Sequence, residues 1–197
     1  MLAWKPDLVT IYFGWNDHWL ARDFADKAQQ QRLPLAVQFR NAADHSRIIQ
    51  LMSSAAGSLL PPHRPGLRVE LPDYRANLLA MHDSMSGING KIWYLTASHA
   101  MDLGIPDYLM TSGEVDDPAL LVSLHRQFNG VVREVARDTA SPAIDLEAET
   151  DAEDKQALFV EDHIHLTEAG RQFVAQRLVQ ELRKQGLLTT ESPNDIR

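Results

Sequence analysis

Cysteine is absent from all 197 residues. That excludes a disulfide, a thiolate nucleophile and a Cys-ligated metal. It suits cytosol and periplasm alike and leaves the compartment undetermined. No apolar run approaches the ~20 residues that a bilayer-spanning helix needs. The opening residues Met1-Leu2-Ala3-Trp4-Lys5 carry no signal-peptide pattern. A basic cluster is also missing: 19 Lys and Arg stand against 27 Asp and Glu, for a formal net charge of -8. Such a surface repels phosphate backbones and anionic lipid, which argues against nucleic acid or a membrane surface as partner. There is no internal repeat and no low-complexity tract. What remains, 44% hydrophobic and 23% charged residues, is the composition of a globular protein, and the length suits one domain. Residues 1–188 are expected to form it, with 189–197 as a polar, frayed tail.

Three apolar runs read as buried strands. Leu8-Val9-Thr10-Ile11-Tyr12-Phe13 lies between Pro6 and Gly14, Lys91-Ile92-Trp93-Tyr94-Leu95-Thr96 follows Gly90, and Pro142-Ala143-Ile144-Asp145-Leu146 is shorter. Helices are expected between and after them. A partly exposed helix or lid covers about 18–32, and a second helix runs through Ile48, Ile49, Leu51 and Met52, ending by Pro61-Pro62. Tyr74, Leu78, Met81 and Met85 keep helical spacing from Pro72 to Gly87. A long helix begins near Asp116-Asp117-Pro118 and turns Leu121, Leu124, Phe128, Val131, Val132 and Val135 inward. The last helix starts at Thr167 as N-cap, buries Phe173, Val174, Leu178 and Leu182, and stops at Gly186. The acidic stretch Glu147 to Asp154 reads as exposed loop. Alternating strands and helices predict an α/β three-layer sandwich with a parallel sheet. Three strands make a thin sheet. Its first strand, apolar on both faces, would be an exposed edge, so sheet neighbours are expected to precede this segment.

Two short segments carry the chemistry. Gly14-Trp15-Asn16-Asp17 follows the first strand, at the end where a doubly wound sheet gathers reactive groups. Gly14 permits a tight reversal, and Asp17 can hold the turn. The Asn16 amide can donate to a developing oxyanion, where one such donor is worth ~3 kcal/mol of barrier. Far along the chain, Asp162-His163-Ile164-His165 precedes the final helix. His165 can take and return a proton near neutral pH, and Asp162 can reach one ring nitrogen and fix the tautomer. Each pattern alone is also an ordinary turn or cap. Together they supply two different roles of an ester hydrolase.

These blocks resemble those of the SGNH/GDSL hydrolase superfamily: Gly14, Asn16 and Asp17 match its Gly-x-Asn-Asp block, and Asp162 and His165 match its Asp-x-x-His block. Tyr74 to Leu78, Asn129 on the long helix and Ile144-Asp145-Leu146 agree with the connecting features. The resemblance implies a flavodoxin-like sheet truncated at its N-terminus to about three strands. It also implies a serine esterase or acyltransferase working through an acyl-enzyme, with no cofactor or metal. His165 would be the base, Asp162 its orienter and Asn16 an oxyanion donor. The family's Gly-Asp-Ser block and second oxyanion glycine would precede this segment, and no serine from Ser46 to Ser141 sits in such a context. The chain is therefore expected to be inactive on its own.

Two alternatives stay open. One is a catalytically silent module that binds an acylated ligand. The other is a metal-dependent hydrolase using Asp162, His163 and His165, with His18 as a further candidate ligand. Trp15 and Trp19, with His18 and His163, are candidate pocket walls, while Trp93 is expected in the core. The substrate class is a small-molecule, carbohydrate or lipid ester, and the oligomeric state is undetermined.

Overall fold

The structure, a computed structural model, describes residues 5–21, 26–27, 66–115 and 117–188. Three parallel strands form its sheet in the order β1 (Leu8–Ile11), β2 (Lys91–Leu95), β3 (Ala143–Ile144). Leu8 pairs with Lys91 and Ile11 with Tyr94; on the other side Tyr94 pairs with Ala143 and Leu95 with Ile144. Among the described residues β1 is paired on one side only. Of the helix or lid expected over about 18–32, residues 22–25 and 28–32 lie outside the described residues, as does the whole of the second helix expected through Ile48 to Met52. Trp19 and Leu20, assigned to the first of these helices, stand instead in a turn and an antiparallel bridge from Leu20 to Leu67.

Helix α1 (Leu71–Ser86) begins with Pro72 in its first turn. After a short helix α2 (Asp107–Thr111) comes α3 (Leu121–Asp138). The sequence places the start of α3 at Asp116 to Pro118. A 3₁₀ turn, Pro118–Leu120, capped by the Asp117 carboxylate, comes first, and the α-helix begins at Leu121.

Side chains alternate across β2 and divide the core into two layers. Ile92 and Tyr94 face α1 and α3, where Tyr74, Leu78, Phe128, Val132 and Val135 are buried. Trp93 and Leu95 face the other way, onto Phe173, Val174, Leu178 and Leu182. Those four belong to the last helix, Glu168–Lys184. A sheet between helices on both faces is the three-layer α/β arrangement.

Two expectations need correction. The third strand is only two residues long, because Asp145 turns its carboxylate to cap helix α4 (Leu146–Thr150) by accepting from the Ala148 N–H. The stretch from Glu147 is not exposed loop: it holds α4 and a further turn, α5 (Lys155–Leu158), and Glu147, Thr150 and Lys155 are buried. Ion pairing makes that burial tolerable. Arg133 donates to Asp145 and Glu147 at 2.7 Å each, and Lys155 donates to Asp102 and Asp151 at 2.9 and 2.6 Å. The helix Glu168–Lys184 is α6. Thr167 caps it as expected, its hydroxyl accepting from the Gly170 N–H, and Gly186 follows its end with φ +67°.

Candidate active site

Beyond β1 the chain reverses at Gly14, whose φ of +140° suits glycine, and the Asp17 N–H closes the turn on the Gly14 carbonyl at 3.2 Å. The Tyr74 hydroxyl donates to the Phe13 carbonyl at 3.1 Å, so α1 holds the turn from behind. Within it, the Trp19 indole N–H donates to Asn16 Oδ1 at 3.1 Å. That bond fixes which way the amide faces and leaves its NH₂ as the side chain's donating end.

The second segment is a loop pinned at both ends. Phe159 and Leu166 form an antiparallel bridge, Val160 N–H donates to the His165 carbonyl at 2.9 Å, and Ala100 N–H donates to the His163 carbonyl at 2.9 Å. Inside the loop Asp162 does two things at once. Its Oδ1 accepts the backbone N–H groups of Ile164 and His165 at 2.9 and 2.8 Å. Its Oδ2 lies 2.6 Å from His165 Nδ1. The carboxylate accepts, so Nδ1 carries the hydrogen and Nε2 is left as the basic nitrogen. Partial burial pushes the Asp162 carboxyl up, but the hydrogen bonds from His165 and Ile164 outweigh it, and the net direction is below the ordinary carboxylate range.

The two segments meet. Asn16 and His165 line one cleft of about 420 Å³, together with Gly14, Trp15, Asp17 and Trp19. Ala97, just past the end of β2, lies in the same cleft. Burial raises the Asp17 carboxyl; Arg68 opposes that and Asp26 adds to it. His18 and His163, named from sequence as possible walls, do not line this cleft. His18 is 2% exposed and packs behind Trp15, while His163 adopts φ +62° and donates from Nδ1 to the Gly104 carbonyl at 2.7 Å. Among the described residues no group of three or more His, Cys, Asp or Glu side chains is placed to hold a metal ion.

In the layer beneath the cleft, sequence reading named Asn129 only as a connecting feature of the resemblance and missed His125. His125 and Asn129 lie on the inward face of α3, at 0% and 1% exposure, one and two helical turns beyond Leu121. Their i, i+4 spacing inside an apolar stripe was the available signal. Asn129 grips the Ala97 peptide on both sides, accepting its N–H at 2.9 Å and donating to its carbonyl at 2.8 Å. The end of β2 is thereby fixed as the floor of the cleft.

A model of the GDSL-like lipase/acylhydrolase family matches residues 1–173. The chain belongs to this family. The GDSL-like fold is also found among solved structures. A lipase/acylhydrolase from Enterococcus faecalis aligns at a TM-score of 0.57 and 17% identity, over 97% of this chain and 67% of that one. The acetylxylan esterase Axe2 from Geobacillus stearothermophilus aligns at 0.51 and 20% identity, over 92% of this chain and 61% of that one. The chain thus spans about two thirds of the length of these GDSL-like neighbours. No curated protein sequence matches it.

Proposed function

We propose that this chain carries the base and oxyanion side of an SGNH-type serine ester hydrolase or acyltransferase. The observation that supports this best is that Asn16 and His165 open onto the same cleft although nearly the whole sequence separates them. His165 Nε2 takes the proton of a serine hydroxyl as its oxygen adds to the ester carbonyl. The Asn16 NH₂ donates to the oxyanion that forms, and Asp162 steadies the imidazolium. Collapse expels the alcohol, which leaves with the proton from His165. Water, or a second alcohol, then attacks the acyl-enzyme by the same steps in reverse. Among the described residues no serine lines the cleft. In this reading the serine comes from an upstream segment beside the edge of β1 that is unpaired among the described residues. Among the described residues the Asp17 carboxylate lines the cleft and no Lys or Arg does, which favours a neutral ester over an anionic one.

The test compares the chain with one extended by the residues encoded upstream, using p-nitrophenyl acetate and an acetylated xylo-oligosaccharide. The extended chain is expected to hydrolyse at least one of them, and the chain alone neither. His165→Ala in the extended chain should lower kcat/KM by roughly 10³ or more. Full activity of that variant would remove His165 from the reaction. A second reading, which a cleft without a serine among its described lining residues also fits, is a module that binds an acylated ligand without cleaving it. An upstream sequence with no Gly-Asp-Ser run, together with measurable binding of the acetylated oligosaccharide, would favour it.

A further inference from the structure

Of the cleft residues, Trp15 has the most unusual support. Its indole stacks on the His125 imidazole with ring centroids 3.9 Å apart and planes 13° from parallel. His18 and His99 meet the same indole edge-on, at 5.0 and 5.9 Å. The indole N–H donates to the Ser98 carbonyl at 3.4 Å. His18, His99 and His125 are all nearly or wholly buried, at 2%, 2% and 0% exposure.

The hydrogen bonds decide where each imidazole carries its hydrogen. The Ala97 carbonyl only accepts, so His125 Nε2, 2.6 Å away, is the donor. His125 Nδ1 is then bare and accepts from His18 Nε2 at 3.1 Å. His18 Nδ1 is buried without a partner. His99 Nδ1 accepts the Met101 N–H at 3.1 Å, which puts its hydrogen on Nε2, facing Glu147 Oε1 at 3.8 Å. All three rings are consistent with uncharged imidazoles bearing hydrogen on Nε2. A second proton on His125 would set two donors face to face across its contact with His18. Burial, the largest influence on each, holds His18 down to about 4 and His125 down to about 3, so both are neutral at pH 7.

We propose that this uncharged imidazole bed makes His125 a positioning residue, holding one face of Trp15 so that the other stands as a fixed wall of the cleft shared by Asn16 and His165. The proposal rests on reading that cleft as the substrate site, but its test does not depend on catalysis. One side of the indole is taken by His125, and His18 and His99 pack against it with planes at 67° and 86°. The ring therefore cannot swing as an ordinary surface tryptophan does. An aromatic wall held this way contributes contact area without losing side-chain freedom when a ligand arrives. The Ala97 carbonyl, which His125 and Asn129 both hold, couples the same bed to the cleft floor.

The experiment uses the 197-residue chain labelled with 5-fluorotryptophan, the Trp15 fluorine signal being assigned by its loss in Trp15→Phe. His125→Gln keeps a donor for the Ala97 carbonyl but removes the ring; the Trp15 signal should shift and broaden while far-ultraviolet circular dichroism stays native. His125→Phe restores a stacked ring and should return a narrow line. An unchanged Trp15 signal in a folded His125→Gln chain overturns the proposal, as does failure of a folded His125→Phe chain to restore the line. A wild-type measurement decides the matter if neither variant folds. Long-range proton–nitrogen spectra at pH 7 should show His18, His99 and His125 neutral with hydrogen on Nε2. A charged ring among them, or hydrogen on His125 Nδ1, overturns it equally.

Discussion

The Asp162 carboxylate has one oxygen committed to the backbone and the other to the His165 ring. An amide in its place can keep the first commitment but not the second. In Asp162→Asn the carbonyl oxygen can still accept the Ile164 and His165 N–H groups, and its NH₂ then faces His165 Nδ1 as a donor. The ring must shift its hydrogen to Nε2, where it can no longer act as a base. In the extended chain the expected loss is about 10³–10⁴ in kcat with KM little changed, read from p-nitrophenyl acetate kinetics. An undiminished kcat would exclude Asp162 from the reaction. The same variant has a pH signature. The carboxyl is depressed in the fold, so its contribution to stability is present above the ordinary carboxylate range and is lost as pH falls through the folded value. Asp162→Asn should lack that part of the acid sensitivity. Gly14→Ala tests the other segment. At φ +140°, with the Tyr74 hydroxyl 3.2 Å from where a Cβ would stand, alanine strains the turn and displaces Asn16. A thermal midpoint equal to that of the parent chain would show the turn to be permissive. At this scale the sequence was readable where chemistry and spacing coincide: Gly14, Asn16, Asp162 and His165 announce themselves by type. His125 did not, because a buried polar residue in an apolar stripe looks like an interruption until its partner, the Ala97 peptide past the end of β2, is seen; His99 did not, because its neighbour Glu147 is far away in sequence.

Helix α6 delivers the Asp162–His165 loop, and its first turn is where that delivery can be weakened. The Thr167 hydroxyl accepts from the Gly170 N–H at 3.2 Å and donates to the Ala157 carbonyl at 2.6 Å. Thr167→Ala should cost about 1–2 kcal/mol in urea unfolding; no measurable change would show that the cap is replaced by solvent. Gly170 lies against α5 so closely that a Cβ would collide with the Leu158 carbonyl oxygen, whereas a Cβ at Gly130 in α3 meets nothing within 4 Å. Both glycines are helical, so the two alanine variants separate packing from backbone entropy. Gly170→Ala should destabilise by roughly 1–3 kcal/mol, and Gly130→Ala should stabilise by about 0.5–1 kcal/mol. Equal effects of the same sign would mean that the close approach of α5 and α6 is not what the geometry indicates. Helical elements were legible because long amphipathic stripes repeat their signal: Tyr74 to Met85 and Phe173 to Leu182 each gave several concordant positions. The short elements were harder. Ala143–Ile144 and Leu146–Thr150 are set by Asp145, whose side chain caps one and pairs with Arg133 from α3, a long-range contact that no local pattern contains.

For the molecule as a whole, the buried imidazoles and the carboxylates respond to acid in different windows. An unfolded histidine takes up a proton near its ordinary value of 6.5, whereas in the fold His18 waits until about 4 and His125 until about 3. Between those limits the unfolded chain binds more protons than the folded one, so stability must fall as pH falls. The depressed carboxyls of Asp102, Asp145 and Asp162 act in the same direction, but only below their ordinary range. From pH 6 to pH 5, therefore, the imidazoles dominate. At pH 5 the two rings alone give an uptake of about two protons on unfolding, and each proton adds a slope of about 1.4 kcal/mol per pH unit. The expected result is a urea midpoint that drops steeply between pH 6 and 5, well before carboxylates titrate, and a smaller drop in His18→Gln. A midpoint that stays level from pH 7 to 5 would mean that His18 and His125 ionise in the fold as freely as in the open chain, which a sealed layer of neutral rings behind Trp15 does not permit.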